Sequence, residues 1–242
     1  MKLKKIVILL LMLASLILEA CSLAPPEDLP VEDILMRAIE RTANLDGFAF
    51  SMVREGARAY FDPEETIAFR RVEGVFMAPD AVHAMVRVIT PGMVSEFQIL
   101  NLGNQQWFTN LATGAWEQAP AGWSFNPATL FEPESGMVFV LKEDLVDPVF
   151  QGVVELDELP GRDLYYIVAD MKGDHIYSMS YGLIASEMML VELWIEPQTF
   201  EIHRIVLTEH LPTETEPRIW QLDFWDFDRL IEISPPDIQG SP

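Results

Sequence analysis

One residue in this chain has both the position and the chemistry of a modification site. Cys21 is the only cysteine among 242 residues. It closes the tetrapeptide Leu18-Glu19-Ala20-Cys21, a lipobox pattern in which the bond before the cysteine is cut and lipid is attached to its sulfur. A cationic start (Lys2, Lys4, Lys5), an uncharged run from Ile6 to Leu18 and small Ala20 complete the three parts of a secretory signal. The run is short of the ~20 residues that a spanning helix needs. Residues 1–20 therefore read as a removed leader and Cys21 as the acylated N-terminus. An ordinary leader or uncleaved anchor is the alternative, and the charge of Glu19 inside the motif favours it.

Other reactive constellations are missing. His83, His175, His203 and His210 form no His-x-x-x-His pair and have no glutamate at zinc spacing, so they read as strand or surface residues rather than a metal site. Neither Gly92-Met93-Val94-Ser95 nor Gly122-Trp123-Ser124 completes a nucleophile elbow, and glycine-rich phosphate loops are absent. The acidic pairs Asp144/Asp147 and Glu155/Asp157 read as a solvated face. No metal, no cofactor and no enzymatic activity are expected.

The charge balance narrows the partners. The chain carries 16 Lys and Arg against 38 Asp and Glu, a formal charge of −22. Loss of the leader removes three of those cations and one acid, leaving −24. Such a surface repels phosphate, which argues against nucleic acid and against lying on anionic headgroups. Attachment to the membrane thus falls to the lipid on Cys21, at the outer face of the cytoplasmic membrane after export. With no second cysteine, stability must come from packing. Half the residues are apolar, enough for a sizeable core.

Stepping from Cys21 into the chain, residues 21–29 read as a short tether through Ala24-Pro25-Pro26. Pro30 suits a helix start, and Val31, Ile34, Leu35, Ala38 and Ile39 follow a helical stripe that stops at Asn44 to Gly47. From Phe48 the period becomes two. Strands are expected from Phe48, then at 67–77, 82–90, 94–102 and 105–110, and again at 148–157, 163–170, 188–196, 199–208 and 218–227, separated by turn signals such as Asp62-Pro63 and Pro91-Gly92. Trp107 and Trp116 flank a hairpin turn at Ala112-Thr113-Gly114. Connections this short require antiparallel pairing. Two inserts, 120–147 and 171–187, break the rhythm; Asn126-Pro127 and Glu132-Pro133 are candidate helix starts in the first.

The fold expected is α+β: one curved antiparallel sheet of about ten strands, a half-barrel, with the N-terminal helix and short helical inserts covering its concave face. It occupies residues 30–236 as one domain, with 237–242 a tail. A curled sheet must have its concave side covered, and a loose cover leaves an apolar cavity.

This layout resembles the LppX/LprAFG family of mycobacterial lipoproteins, which share a half-barrel with the LolA/LolB carriers. The resemblance is carried by the lipobox cysteine, the helix from Val31 to Asn44 with Leu45-Asp46-Gly47-Phe48 after it, the strand pair Val191–Glu196 and Thr199–Ile205, and the closing Leu222-Asp223-Phe224 and Phe227-Asp228. It implies a monomeric envelope lipoprotein that encloses the acyl chains of a lipid or glycolipid and carries it outward. The strongly acidic balance and Glu19 have no counterpart in that resemblance.

The expected cavity lining is Phe131, Met137, Phe139, Leu141, Met179 and Leu183 from the inserts, facing Phe48, Phe50, Met52, Phe97, Ile99 and Leu193 from the sheet. Apolar residues in connections that a plain β-domain would make short and polar motivate the first group, and methionine adapts to variable apolar ligands. An offset of one in strand parity would exchange each sheet residue for its neighbour. Two other functions stay open: an interaction or stress-sensing module that binds an envelope protein, and a hydrolase with a clustered acid/base pair.

Overall fold

The computed structural model describes residues 29–120 and 126–238; Cys21, the tether up to residue 28, and Trp123 and Phe125 of the first insert lie outside them. Helix α1 (Val31–Ala43) begins after Pro30, which caps the helix rather than opening it: its carbonyl accepts the Asp33 and Ile34 amides. Glu32 and Asp33 in the first turn and Arg41 in the last suit the helix dipole. The buried stripe is Ile34, Leu35 and Ala38. At its C-terminal end α1 is pinned: Arg41 donates to Glu201 at 2.6 Å and to Asp228 at 2.5 Å, and Arg37 lies 5.1 Å over the Phe200 ring.

Eleven strands form one antiparallel sheet: β1 (Gly47–Gly56), β2 (Ala68–Met77), β3 (Ala81–Thr90), β4 (Met93–Leu102), β5 (Gln105–Thr109), β6 (Trp116–Gln118), β7 (Leu145–Val154), β8 (Leu164–Lys172), β9 (Met188–Ile195), β10 (Ile202–Glu209) and β11 (Arg218–Trp225). The short β6 is the strand beyond the ten expected. The order is β6-β5-β4-β3-β2-β1-β11-β10-β9-β8-β7, so the first and last strands pair at the centre and the two strands adjacent in sequence, β6 and β7, form opposite edges.

That order dictates the cover. The chain from β6 to β7 must pass from one edge of the curved sheet to the other. On the way it forms a 3₁₀ helix (Pro127–Phe131) and α2 (Met137–Glu143), laid against the concave face. The β8–β9 connection adds α3 (Asp174–Met179) beside them. Asn126-Pro127 does start a helix, with the Asn126 side chain accepting the Ala128 amide. Glu132-Pro133 does not: Glu132 ends the 3₁₀ helix, and α2 waits for Gly136. A Cβ on Gly136 would sit 2.6 Å from the Leu130 carbonyl, so only glycine fits this turn.

Two strand boundaries differ from expectation for identifiable reasons. β7 begins three residues early because it is an edge strand that tolerates Pro148 and absorbs two register shifts around Asp147 and Gly152. Those irregularities also blunt the edge against further pairing. β10 begins three residues late because Phe200 turns in the left-handed region, φ 59°. The pair Asp144/Asp147 divides: Asp144 is buried and bonded to His175 at 2.8 Å instead of lying on a solvated face.

Candidate functional site: an apolar interior under two inserts

The sheet presents Phe48, Phe50 and Met52 in a row on its concave side, because alternate residues of β1 share a face. Over the upper half of that row lies an apolar cavity of ≈ 90 Å³. Its floor is Phe50 and Met52 of β1, Phe69 and Val72 of β2, Ala84 and Val86 of β3, Ile99 of β4, Leu207 of β10 and Trp220 and Leu222 of β11. Its roof is Pro127 and Leu130 of the 3₁₀ helix and Ile176, Met179, Ser180, Leu183 and Ile184 of the second insert. No charged side chain lines it. Phe61 and Tyr181, both exposed, stand at its mouth.

A second space of ≈ 180 Å³ lies below, bordered by Thr42 and Leu45 near the end of α1, Phe48 and Phe76 of the sheet, Ala78 and Pro79 of the β2–β3 turn, and Phe131, Pro133, Met137 and Val138 of the first insert. The Phe131 ring borders the lower space and reaches toward the floor of the upper. Its centroid is 5.1 Å from Phe48, 5.1 Å from Phe50 and 4.8 Å from Phe76. A larger groove of ≈ 550 Å³ beside Arg58 and Met93 shares no residue with either space.

Of the expected lining, Phe50, Met52, Ile99, Met179 and Leu183 border the upper space and Phe48, Phe131 and Met137 the lower. The sheet residues among these face the inserts. Four residues lie elsewhere. Leu141 and Leu193 are buried in solid core, and Phe97 packs against that core. Phe139 turns from the interior to meet the His175 ring edge-on at 4.9 Å.

The sequence reading missed Trp220 and Leu222, although the alternation Trp220, Leu222, Phe224 marks them as one face. It also missed Phe69 and Val72, which are three apart. A register shift after Phe69 lets both face inward, and no period-two pattern would reveal that.

Polar side chains fix the roof from outside the cavity. Glu209, with no exposed surface, accepts the Ala185 and Ser186 amides at 2.9 and 3.1 Å and the Trp220 indole N–H at 3.0 Å. One carboxylate thus ties the second insert to β10 and β11. Above it Arg218 bonds Glu214, and the buried Arg54 donates to the Phe69, Gly56 and Ala57 carbonyls. Burial, then repulsion from Arg218 and Arg58, pushes the Arg54 guanidinium below its ordinary value. At the N-terminal end of the 3₁₀ helix, the Asn126 amide donates to the Tyr181 hydroxyl at 3.0 Å.

At the other end of the sheet His203 and Glu196 are set apart from all of this. His203 is the extra residue of a bulge between Ile202 and Arg204 and is buried against Phe227. Neither ring nitrogen, nor Glu196 Oε2 at 3.5 Å from Nε2, has a hydrogen-bond partner. Burial, reinforced by Arg162, lowers the imidazole pKa, and burial raises that of Glu196. His203 is thus an interior residue, not a surface one. Among the described residues no group of three or more His, Cys, Asp or Glu is placed to hold a metal ion.

No family model matches the chain, and no curated protein is similar to it in sequence. Its fold is nonetheless shared with solved structures. LprF from Mycobacterium bovis superposes with a TM-score of 0.62 at 13% identity, over 85% of this chain and 96% of that one. The lipoprotein LppX of Mycobacterium tuberculosis superposes at 0.58 and 11% identity, over 85% of this chain and 100% of that one. An open sheet whose first and last strands meet at the centre, roofed by its own edge-to-edge insert, is the LppX/LprF-type half-barrel, and this chain has that fold.

Proposed function

We propose that this protein is a non-enzymatic envelope lipoprotein, anchored through Cys21, that holds the acyl chains of a lipid or glycolipid between its sheet and its inserts and carries it within the envelope. The observation that supports this best is the chemistry of the upper cavity: ten apolar sheet residues and six apolar insert residues converge on one space, joined only by the hydroxyl-bearing Ser180 and Tyr181 and by Phe61, with no charged side chain. Such a lining offers burial without polar recognition, and each methylene buried contributes about 0.8 kcal/mol. Affinity then scales with chain length, and the headgroup remains outside. The fold supports the same reading, since one protein that shares it is itself a lipoprotein.

The test is intact mass spectrometry and lipid extraction of protein purified from its native membrane, with titration of a fluorescent fatty acid. Copurified lipid and saturable binding are expected. An empty protein that binds no fatty acid would overturn the proposal.

A further inference from the structure

The upper cavity is smaller than the ~150 Å³ that takes a single benzene ring, and the lower space is only slightly larger. Neither accommodates an acyl chain alone. They share one floor, the Phe48-Phe50-Met52 row, with Phe48 under the lower space and Phe50 and Met52 under the upper. The Phe131 ring, which borders the lower space, packs at 5.1 Å on Phe50, which borders the upper.

That ring is carried by a short element. It is the last residue of a single 3₁₀ turn, a geometry used in short pieces. The turn is held at its start by bonds to the exposed Tyr181 hydroxyl. Its end at Glu132 already has extended backbone. The outer ends of both spaces border solvent, the upper beside Phe61 and Tyr181, the lower beside Ala78, Pro79 and Pro133.

We propose that the two spaces are halves of one acyl channel open at both ends, that Phe131 is its gate, and that the ligand is a chain long enough to displace this ring and reach the lower space beside Pro79. The inference rests on the lipid-binding reading and adds to it a ligand class, long chains, and a second subsite. Short chains stay above the gate. Each methylene that passes it tightens binding about fourfold, the usual burial increment.

The experiment uses full-length protein in nanodiscs and two photoreactive fatty acids, decanoic and stearic, each with a terminal diazirine. Cross-linked residues are located by mass spectrometry. The decanoyl terminus is expected to label Met179 and Leu183. The stearoyl terminus is expected to label Met137, Val138 and Pro79. Phe131→Trp should return the stearoyl label to the upper space, and Phe131→Ala should strengthen stearoyl labelling of the lower one severalfold while decanoyl labelling stays within twofold. Phe131→Leu, closer in shape, serves if the alanine variant loses its far-UV circular dichroism.

Both probes labelling the upper space in every variant would overturn the gate while leaving lipid binding intact. Labelling of neither space by either probe would overturn both.

Discussion

His203 is buried in the core with its Nε2 3.5 Å from Glu196, and its titration bears on stability against pH. Its pKa is lowered first by burial and then by Arg162, with Glu201 opposing. A histidine of depressed pKa is protonated more readily in the unfolded chain than in the native one. Its contribution to stability is therefore complete above the ordinary value of ~6.5 and is lost as pH falls below it. Glu196, raised by burial, acts in the opposite sense: its folded carboxyl takes up a proton while the unfolded one is still ionised, which recovers stability at lower pH. The fall thus begins just below neutrality and is opposed by Glu196 at lower pH. Urea unfolding at pH 7 and pH 5.5 should show wild-type stability decreasing over that interval. His203→Phe should remove most of the decrease while keeping the contact with Phe227. An unchanged pH slope in the variant would assign the titration to another histidine.

The inserts behave as elements added to a finished sheet. The strands are joined by a continuous ladder from β6 to β7, whereas the 3₁₀ helix is held at its start by Asn126 and Thr129 contacts with the Tyr181 hydroxyl. Tyr181→Phe removes those contacts. A net loss of about 1 kcal/mol corresponds to roughly fivefold faster amide exchange if the segment opens locally. Hydrogen-exchange mass spectrometry should find that acceleration in 126–131, with β1 and β11 unchanged; equal acceleration in the central strands would mean that insert and sheet open as one unit. The same division explains what the sequence disclosed. Strands and α1 were legible because burial on one face imposes a period that survives in the residue types, as in Phe48, Phe50 and Met52. Phe139 turns outward, which a helix of only seven residues does not disclose, whereas Leu141 faces inward but packs in solid core, and sequence does not tell a packed inward residue from one beside a void. Phe69 and Val72 were hidden by a bulge, whose extra residue follows from backbone geometry and leaves no mark in hydrophobicity. Phe131, by contrast, was found for its residue type in the wrong kind of segment, an aromatic where a connection needs none.

For the molecule as a whole, charge decides how a membrane can hold it. Most arginines are already engaged: Arg41, Arg71, Arg87, Arg204, Arg218 and Arg229 each meet a carboxylate within 4 Å. Arg87 and Arg204 are held above the ordinary guanidinium value, Arg87 by its bond to Glu96, and Arg204 by Asp223 and Glu158 against the opposing effect of its burial. Few cations remain to meet anionic headgroups, each of which would contribute only about 1 kcal/mol, and the net charge of −22 acts against them. Attachment through the surface would also be sensitive to salt, since the Debye length shrinks to ~3 Å at 1 M. Attachment through two or three acyl chains on Cys21 would not. Membranes washed in about 1 M salt should therefore retain the protein, and detergent should release it. Its intact mass should lack residues 1–20 and carry added acyl mass on Cys21, while Cys21→Ser should accumulate with its leader uncut and no added lipid. Release of the wild type by salt, or normal cleavage of the serine variant, would mean that Leu18-Glu19-Ala20-Cys21 is only the end of an ordinary leader, and the half-barrel would then have to work free of the membrane.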